Sequence, residues 1–203
     1  HLEKKCKIRA IHVNHNLNES SDDWSVFCEK QCNELGIDLT IKSIHPINEG
    51  FGIEANARDE RYRVINESLS PNELLLTAHH KDDQLETILF RIFRGTGIDG
   101  LKGISHYMDN EGCTIFRPLL EFSRADLEDY AYENNIKWIE DDSNKNISFD
   151  RNYIRNLLIP KIKDRWKNVE ESTHRLSLIA LENHQLLDEV ASEDLSQELD
   201  SNS

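Results

Sequence analysis

The sequence predicts an α/β fold: an open parallel sheet with helices on both faces, followed by a helical C-terminal appendage. Three observations carry this. From Ile8 to Phe93, strand-like alternation and helical periodicity take turns three times over. Each intervening helix is long enough for the right-handed crossover that joins parallel strands. Beyond Val169 the pattern becomes one long amphipathic stretch with no strand signal.

The elements follow in order. Ile8 to His15 alternates as a strand ending in His15, and Asn18 to Leu35 reads as a helix. Ser20 or Ser21 can cap that helix, Asp22 and Asp23 suit its first turn, and Gly36 stops it. Ile37 to Ile44 is a second, β-branched strand, Asn48 to Gly52 a glycine-containing turn, and Ile53 to Leu69 a second helix. Pro71-Asn72 breaks the chain before a third strand, Glu73 to Ala78, and a third helix then opens near Asp82 and Asp83. After Leu101 a short strand is expected at Cys113 to Phe116, a helix from Ser123 to Asn135, and an extended piece at Ile136 to Ile139. Asp141 to Ser148 is a polar loop, and the helix from Asp150 to Lys167 must be interrupted or kinked by Pro160.

The 203 residues are expected to divide into an α/β domain over 1–165 and a helical extension with an acidic tail over 166–203. No run approaches the ~18 apolar residues of a membrane span, and the first residues lack the apolar core of a signal peptide. A reduced, cytoplasmic protein is expected, its four cysteines being free thiols without paired metal spacing. The net charge of −14 argues against strong, nonspecific nucleic-acid binding by this piece alone. Part of that excess is local: Glu182 to Ser203 holds seven acidic residues and no Lys or Arg.

Four constellations could carry chemistry. In the first, His79, His80, Asp82, Asp83 and Glu86 gather where a strand meets a helix, the usual ligand edge of an open α/β sheet. Carboxylates there are favoured by the helix dipole and can hold a divalent cation. The plainer reading makes Asp82 an N-cap and His79 a buried strand end. Five polar groups in eight residues favour a site. In the second, Arg91, Arg94, Gly95, Thr96, Gly97 and Gly100 offer forked donors and open backbone to phosphate; the plainer reading is a glycine helix stop. The third is Glu140-Asp141-Asp142 between Trp138 and Asn144, which suits a cation or cationic substrate but is equally a solvated loop. The fourth, GIEANARDERYR, lays Arg58 and Arg61 along a helix where they could face an anion or merely form ion pairs.

Taken together, the strings AIHVNHNL, GIEANARDERYR, TAHHKDDQLET, RGTGIDGLKGI, RPLL and WIEDDSNKNISFDRNYIRNLLIP, collinear from Ala10 to Pro160, resemble the tRNA(Ile)-lysidine synthetase family of the PP-loop ATP pyrophosphatases. TAHHKDDQLET resembles the wider superfamily, and its combination with RGTGIDGL and WIEDDSN resembles the lysidine branch. The resemblance implies ATP and Mg2+ as cofactors. Its partners would be free L-lysine and an isoleucine tRNA with a CAU anticodon, with a homodimer left open. It assigns catalysis to Asp82, Asp83 and Arg94, and the nucleotide to these with His12, His15, His79 and Gly95. Mg2+ falls to Asp82 and Asp83, and lysine to Glu140, Asp141 and Asp142. Arg58, Arg61, Arg151 and Arg155 are the candidates for tRNA or phosphate.

Two departures stand out. The family's SGGxDS loop is not in the chain, as though an opening βα unit belonged before residue 1; this chain by itself is then expected to be inactive. His15-Asn16-Leu17-Asn18 replaces the usual glycine and basic residue. Three other readings stay open. A PP-loop tRNA thiolase would need cysteines placed for sulfur chemistry. A metal-dependent phosphohydrolase would need further ligands, for which only His12 and His15 are available. A noncatalytic nucleotide- or tRNA-binding remnant needs neither.

Overall fold

The computed structural model describes residues 6–45, 53–110 and 113–201. The turn expected at 48–52 lies outside them. Two compact units emerge, His1–Glu73 with Asn110–Cys113, and Leu74–Asp109 with Thr114–Ser203.

In the first unit, β1 (Arg9–Asn14) leads through α1 (Ser21–Leu35) to β2 (Asp38–Ser43), and α2 (Ile53–Ser68) follows. β1 and β2 pair in parallel, Arg9 opposite Asp38 and Asn14 opposite Ser43, as a helical crossover requires. Gly36 stops α1 in the left-handed conformation, its N–H donating to the Asn33 carbonyl. Val13, Ile44 and Val64 form the core, with Ile11 and Ile65 against it. At the end of β1 the buried Asn14 amide donates to Asp22 at 2.9 Å, while its oxygen accepts the Asn16 N–H at 2.9 Å. Asn16 has φ 52°. This explains the departure from the family pattern: asparagine tolerates the left-handed region better than other non-glycine residues. Its side chain also ties the turn to the Ile44 carbonyl at 3.1 Å.

In the second unit, β3 (Leu74–Leu76) runs into α3 (Lys81–Phe93), and a single turn, α4 (Ile98–Leu101), precedes β4 (Tyr107–Asn110) and β5 (Cys113–Phe116). The sheet order is β3-β5-β4, with β3 and β5 parallel and Leu75 opposite Ile115. β4 was not anticipated from the sequence. α5 (Arg124–Glu133) opens with a reciprocal cap between Ser123 and Asp126. The extended piece expected at Ile136 to Ile139 joins no strand ladder among the described residues, and residues 142–145 of the polar loop wind into a 3-10 turn.

The helix expected from Asp150 is broken in an informative way. α6 (Asp150–Tyr153) passes into a π-turn, Ile154–Leu158, and then into α7 (Ile159–Arg165), with Pro160 in its first turn. Proline, which has no N–H to donate, falls just after the π-turn, where the regular i→i−4 ladder is already interrupted. The pattern beyond Val169 forms one helix, α8 (Val169–Ser201), which packs against α3 and α4. Leu85, Ile154 and Ile159 make the core beneath it, joined by Leu89, Phe90, Leu158 and Val169. Gln84, almost wholly buried, stitches three pieces together. Its Nε2 donates to Ser177 at 2.9 Å and to the Ile104 carbonyl at 3.2 Å, and its Oε1 accepts the Ile104 N–H at 2.5 Å. Gly103 is needed here twice over, for its φ of 62° and because a Cβ would come within 2.4 Å of the Gln84 oxygen.

Candidate functional site

β3 delivers the acidic cluster to the start of α3. The Thr77 N–H continues the sheet to the Phe116 carbonyl at 3.1 Å, and the Thr77 hydroxyl lies 3.0 Å from His79 Nδ1. His80, not Asp82, occupies the N-cap, in extended conformation. Its N–H donates to Asp83 Oδ2 at 3.0 Å, so Asp83 closes the first turn from inside. Asp82 and Asp83 both sit in that turn, where the helix dipole favours negative charge.

Each acid is held by partners distant in sequence. Asp82 Oδ2 accepts the Arg124 N–H at 2.7 Å, and Oδ1 pairs with Lys163 at 2.8 Å. Burial pushes the Asp82 carboxyl up, but Lys163 and the Arg124 N–H outweigh it and hold the group at about 2. Glu86, only 2% exposed, is gripped by Arg155, whose Nε and Nη2 donate to its two oxygens at 2.5 and 2.8 Å. Arg155 also reaches Asp83 at 3.4 Å. The Glu86 hydrogen bonds raise the Arg155 pKa against the opposing effect of burial. Arg151 lies 3.4 Å from Glu86 and donates to the Thr87 hydroxyl at 2.9 Å. Arg151 and Arg155, the expected tRNA or phosphate contacts, brace α3 through these pairs. Neither Lys163 nor Arg124 belongs to a local motif with Asp82, and the one sequence hint was the number of acids in α3 calling for cations elsewhere.

A pH dependence follows from Asp82. Its folded pKa lies below its ordinary 3.8, so its stabilisation is present above that value and lost as pH falls toward about 2. Glu170, shifted up chiefly by burial, opposes it in part. Asp82 taken alone sets an upper bound of about 2 kcal/mol. Urea unfolding at stepped acidic pH should show this loss in the native chain and its absence in Asp82→Asn.

The second constellation stands apart from the first. The eleven positions from Asp83 to Arg94 rise about 16 Å along α3, so one phosphate cannot touch both. Arg94 is the C-cap, its guanidinium 4.2 Å from the Phe90 ring centroid and 3.9 Å from Asp150. Gly95, with φ 75°, makes the turn. Arg91 donates to the Gly100 and Gly103 carbonyls at 3.0 and 2.8 Å and so shapes the glycine loop.

In the acidic loop, Asp141 caps the 3-10 turn by accepting the Ser143 N–H at 2.8 Å, and Asp142 pairs with Lys145 at 2.7 Å. Glu140 precedes them, exposed. Tyr132 packs edge-on to Trp138, 5.2 Å between centroids.

The remaining candidates lie in the first unit. His12 Nδ1 is 3.7 Å from the Cys28 thiol, and burial pushes its pKa down. His15 is lowered by burial and then by Arg61 and His12. His12 Nε2 and His15 Nδ1 are buried without a hydrogen-bond partner. Arg58 and Arg61 each lie 5.5 Å from the Tyr62 ring centroid, Arg61 half-buried and Arg58 exposed. None of the four cysteines is in a disulfide, and among the described residues no three His, Cys, Asp or Glu side chains could hold a metal together. No helix described is long and apolar enough to cross a membrane.

An acidic turn at the end of a parallel strand, on a helix N-terminus, is the arrangement of a ligand-handling α/β protein. The chain belongs to the PP-loop domain family, matched over residues 1–162. It is 39% identical over 198 residues to a tRNA(Ile)-lysidine synthase of Actinobacillus pleuropneumoniae, covering 98% of this chain and 47% of that protein. The synthase of the same name from Yersinia pseudotuberculosis is 42% identical over 193 residues, covering 95% and 43%. That of Shigella flexneri is 39% identical over 189 residues, covering 93% and 44%. The chain thus spans less than half the length of these relatives. Among solved structures, the U34-tRNA thiolase NcsA from Methanococcus maripaludis, with its 4Fe-4S cluster, matches with a TM-score of 0.66. That match covers 85% of this chain and 60% of the thiolase at 16% identity, a likeness of fold.

Proposed function

We propose that this chain is the ATP-handling part of an enzyme that converts the wobble cytidine of an isoleucine tRNA with a CAU anticodon to lysidine. The observation that carries this is identity of 39–42% to tRNA(Ile)-lysidine synthases across nearly the whole chain, rather than at one motif. In the reaction, the cytidine C2 oxygen attacks the α-phosphorus of ATP and pyrophosphate leaves. The side-chain amine of lysine, having lost its proton, then attacks C2 and expels AMP.

The residues divide the work by place. We assign nucleotide handling to His79 and Asp83 at the head of α3, where Asp82 completes the acidic turn, and separately to His12 and His15 of the first unit. Arg94 and Gly95, at the far end of α3, serve a different part of the extended substrate, and Arg58 and Arg61 contact phosphate. Glu140 is the strongest candidate for the lysine ammonium, because Asp141 and Asp142 already hold a backbone N–H and Lys145. The fit to Mg2+ is incomplete: all four oxygens of Asp82 and Asp83 already face Lys163, Arg155 or a backbone N–H. Residues 1–165 form the catalytic domain and 166–203 its helical extension, working in the cytoplasm where tRNA is modified.

The test is AMP release by the full-length protein with ATP, this tRNA and lysine. AMP should form with all three, and omitting lysine should stop lysidine formation. Nucleotide turnover indifferent to both lysine and tRNA would overturn the reading.

A further inference from the structure

Lys163 joins two elements that nothing in the sequence connects. From α7 its ammonium lies 2.8 Å from Asp82 in the first turn of α3, and it also pairs with Glu170 in the first turn of α8. Beside it, Lys81 of α3 pairs with Glu171 of α8 at 2.5 Å. The two helix starts thus face each other as Lys81-Asp82 against Glu170-Glu171, with Lys163 between the inner carboxylates. The side chains of Asp82 and Glu170 are 15% and 19% exposed, so solvent screens this triad less than it would a surface pair. Asp82 is fixed at both oxygens, since Oδ2 is taken by the Arg124 N–H. Lysine suits the junction: its ammonium has three donors and no fixed plane, so it can serve two carboxylates approaching from different helices.

We infer that Lys163 is a positioning residue that fixes Asp82 within the acidic turn and, through Glu170, couples the seating of α8 to that turn. The inference rests on the proposed place of Asp82 in the ATP site. It makes α8 part of the site's support. A shift of its first turn withdraws Glu170 and changes how Lys163 is shared.

The experiment measures ATP–pyrophosphate exchange by the full-length protein, together with ATP-dependent hydrogen-exchange protection of the first turn of α8. Lys163→Met should lower kcat by about tenfold or more while KM for ATP moves less than about threefold. Lys163→Arg, which keeps the charge, should recover most of that loss. Glu170→Gln leaves the Lys163–Asp82 pair in place, so it should exchange within about threefold of the native protein yet lose the ATP-dependent protection of α8. Native exchange in Lys163→Met overturns the proposal. So does equal loss in Lys163→Met and Lys163→Arg with equal loss of melting temperature, which marks a packing role only. A protein that exchanges ATP but never forms lysidine loses the functional reading, and the Lys163 comparison is then judged on exchange alone. Absence of both ATP exchange and ATP-dependent protection in the native protein sinks both.

Discussion

Asp83→Asn is expected to abolish ATP–pyrophosphate exchange by the full-length protein while leaving its fold standing. Asparagine keeps an oxygen that can accept the His80 N–H, so the capped first turn of α3 survives. What it loses is the negative charge at the strand end, the charge that the proposed ATP site would use. Arg155 stays neutralised by Glu86, its closer partner, so the variant leaves no unpaired buried cation. The expected fall in kcat is about a hundredfold or more, measured beside an unchanged circular dichroism spectrum. Exchange within a few-fold of native would remove Asp83 from the chemistry and leave it a capping residue.

Arg155→Met should cost about 3 kcal/mol of stability, among the larger losses open to a single substitution here. The reason lies in Glu86, which is 2% exposed and receives two of the guanidinium donors. Removing the cation leaves a buried carboxylate with only the more distant Arg151. Arg155 keeps about a quarter of its exposure, which places the estimate at the lower end of the range for buried pairs. The melting temperature should fall by about 6–12 °C. Replacing both partners, Glu86→Leu with Arg155→Met, should recover much of this, because the cost comes from the stranded charge rather than from loss of net attraction. A fall below about 1 kcal/mol in the single variant would show that water already reaches Glu86.

The sequence made the alternation of elements readable because local rules govern it. The Gly36 stop, the Ser123 cap and the β-branched run of β2 each depend on a few neighbouring residues. The acidic cluster was readable for the same reason, since composition at a strand end is a local signal. What holds that cluster was not. Lys163 and the Arg124 N–H reach Asp82 from 81 and 42 residues away, and no periodicity encodes such a meeting. The partners of Arg151 and Arg155 were hidden for the same reason: an arginine in sequence shows its charge but not what it pairs with. β4 escaped for a different reason. Tyr107-Met108-Asp109-Asn110 is a short, polar strand at the sheet's end, with Tyr107 exposed and stacked on Phe116 at 4.6 Å. Such a strand owes its shape to its neighbour rather than to its own residues. His80 at the cap, where an aspartate was the obvious choice, shows the same limit: Asp83 supplies the oxygen from within the turn.

The π-turn at Ile154–Leu158 sets a rule of length. The bond from the Ile159 N–H to the Ile154 carbonyl adds one residue to that turn and rotates everything after it by about 100° relative to a regular helix. Arg155 within the irregularity and Lys163 after it both reach the head of α3 with that offset in place. The number of residues in this segment therefore matters as well as their kind. Losing a single position would straighten the helix and swing one cation away from its carboxylate.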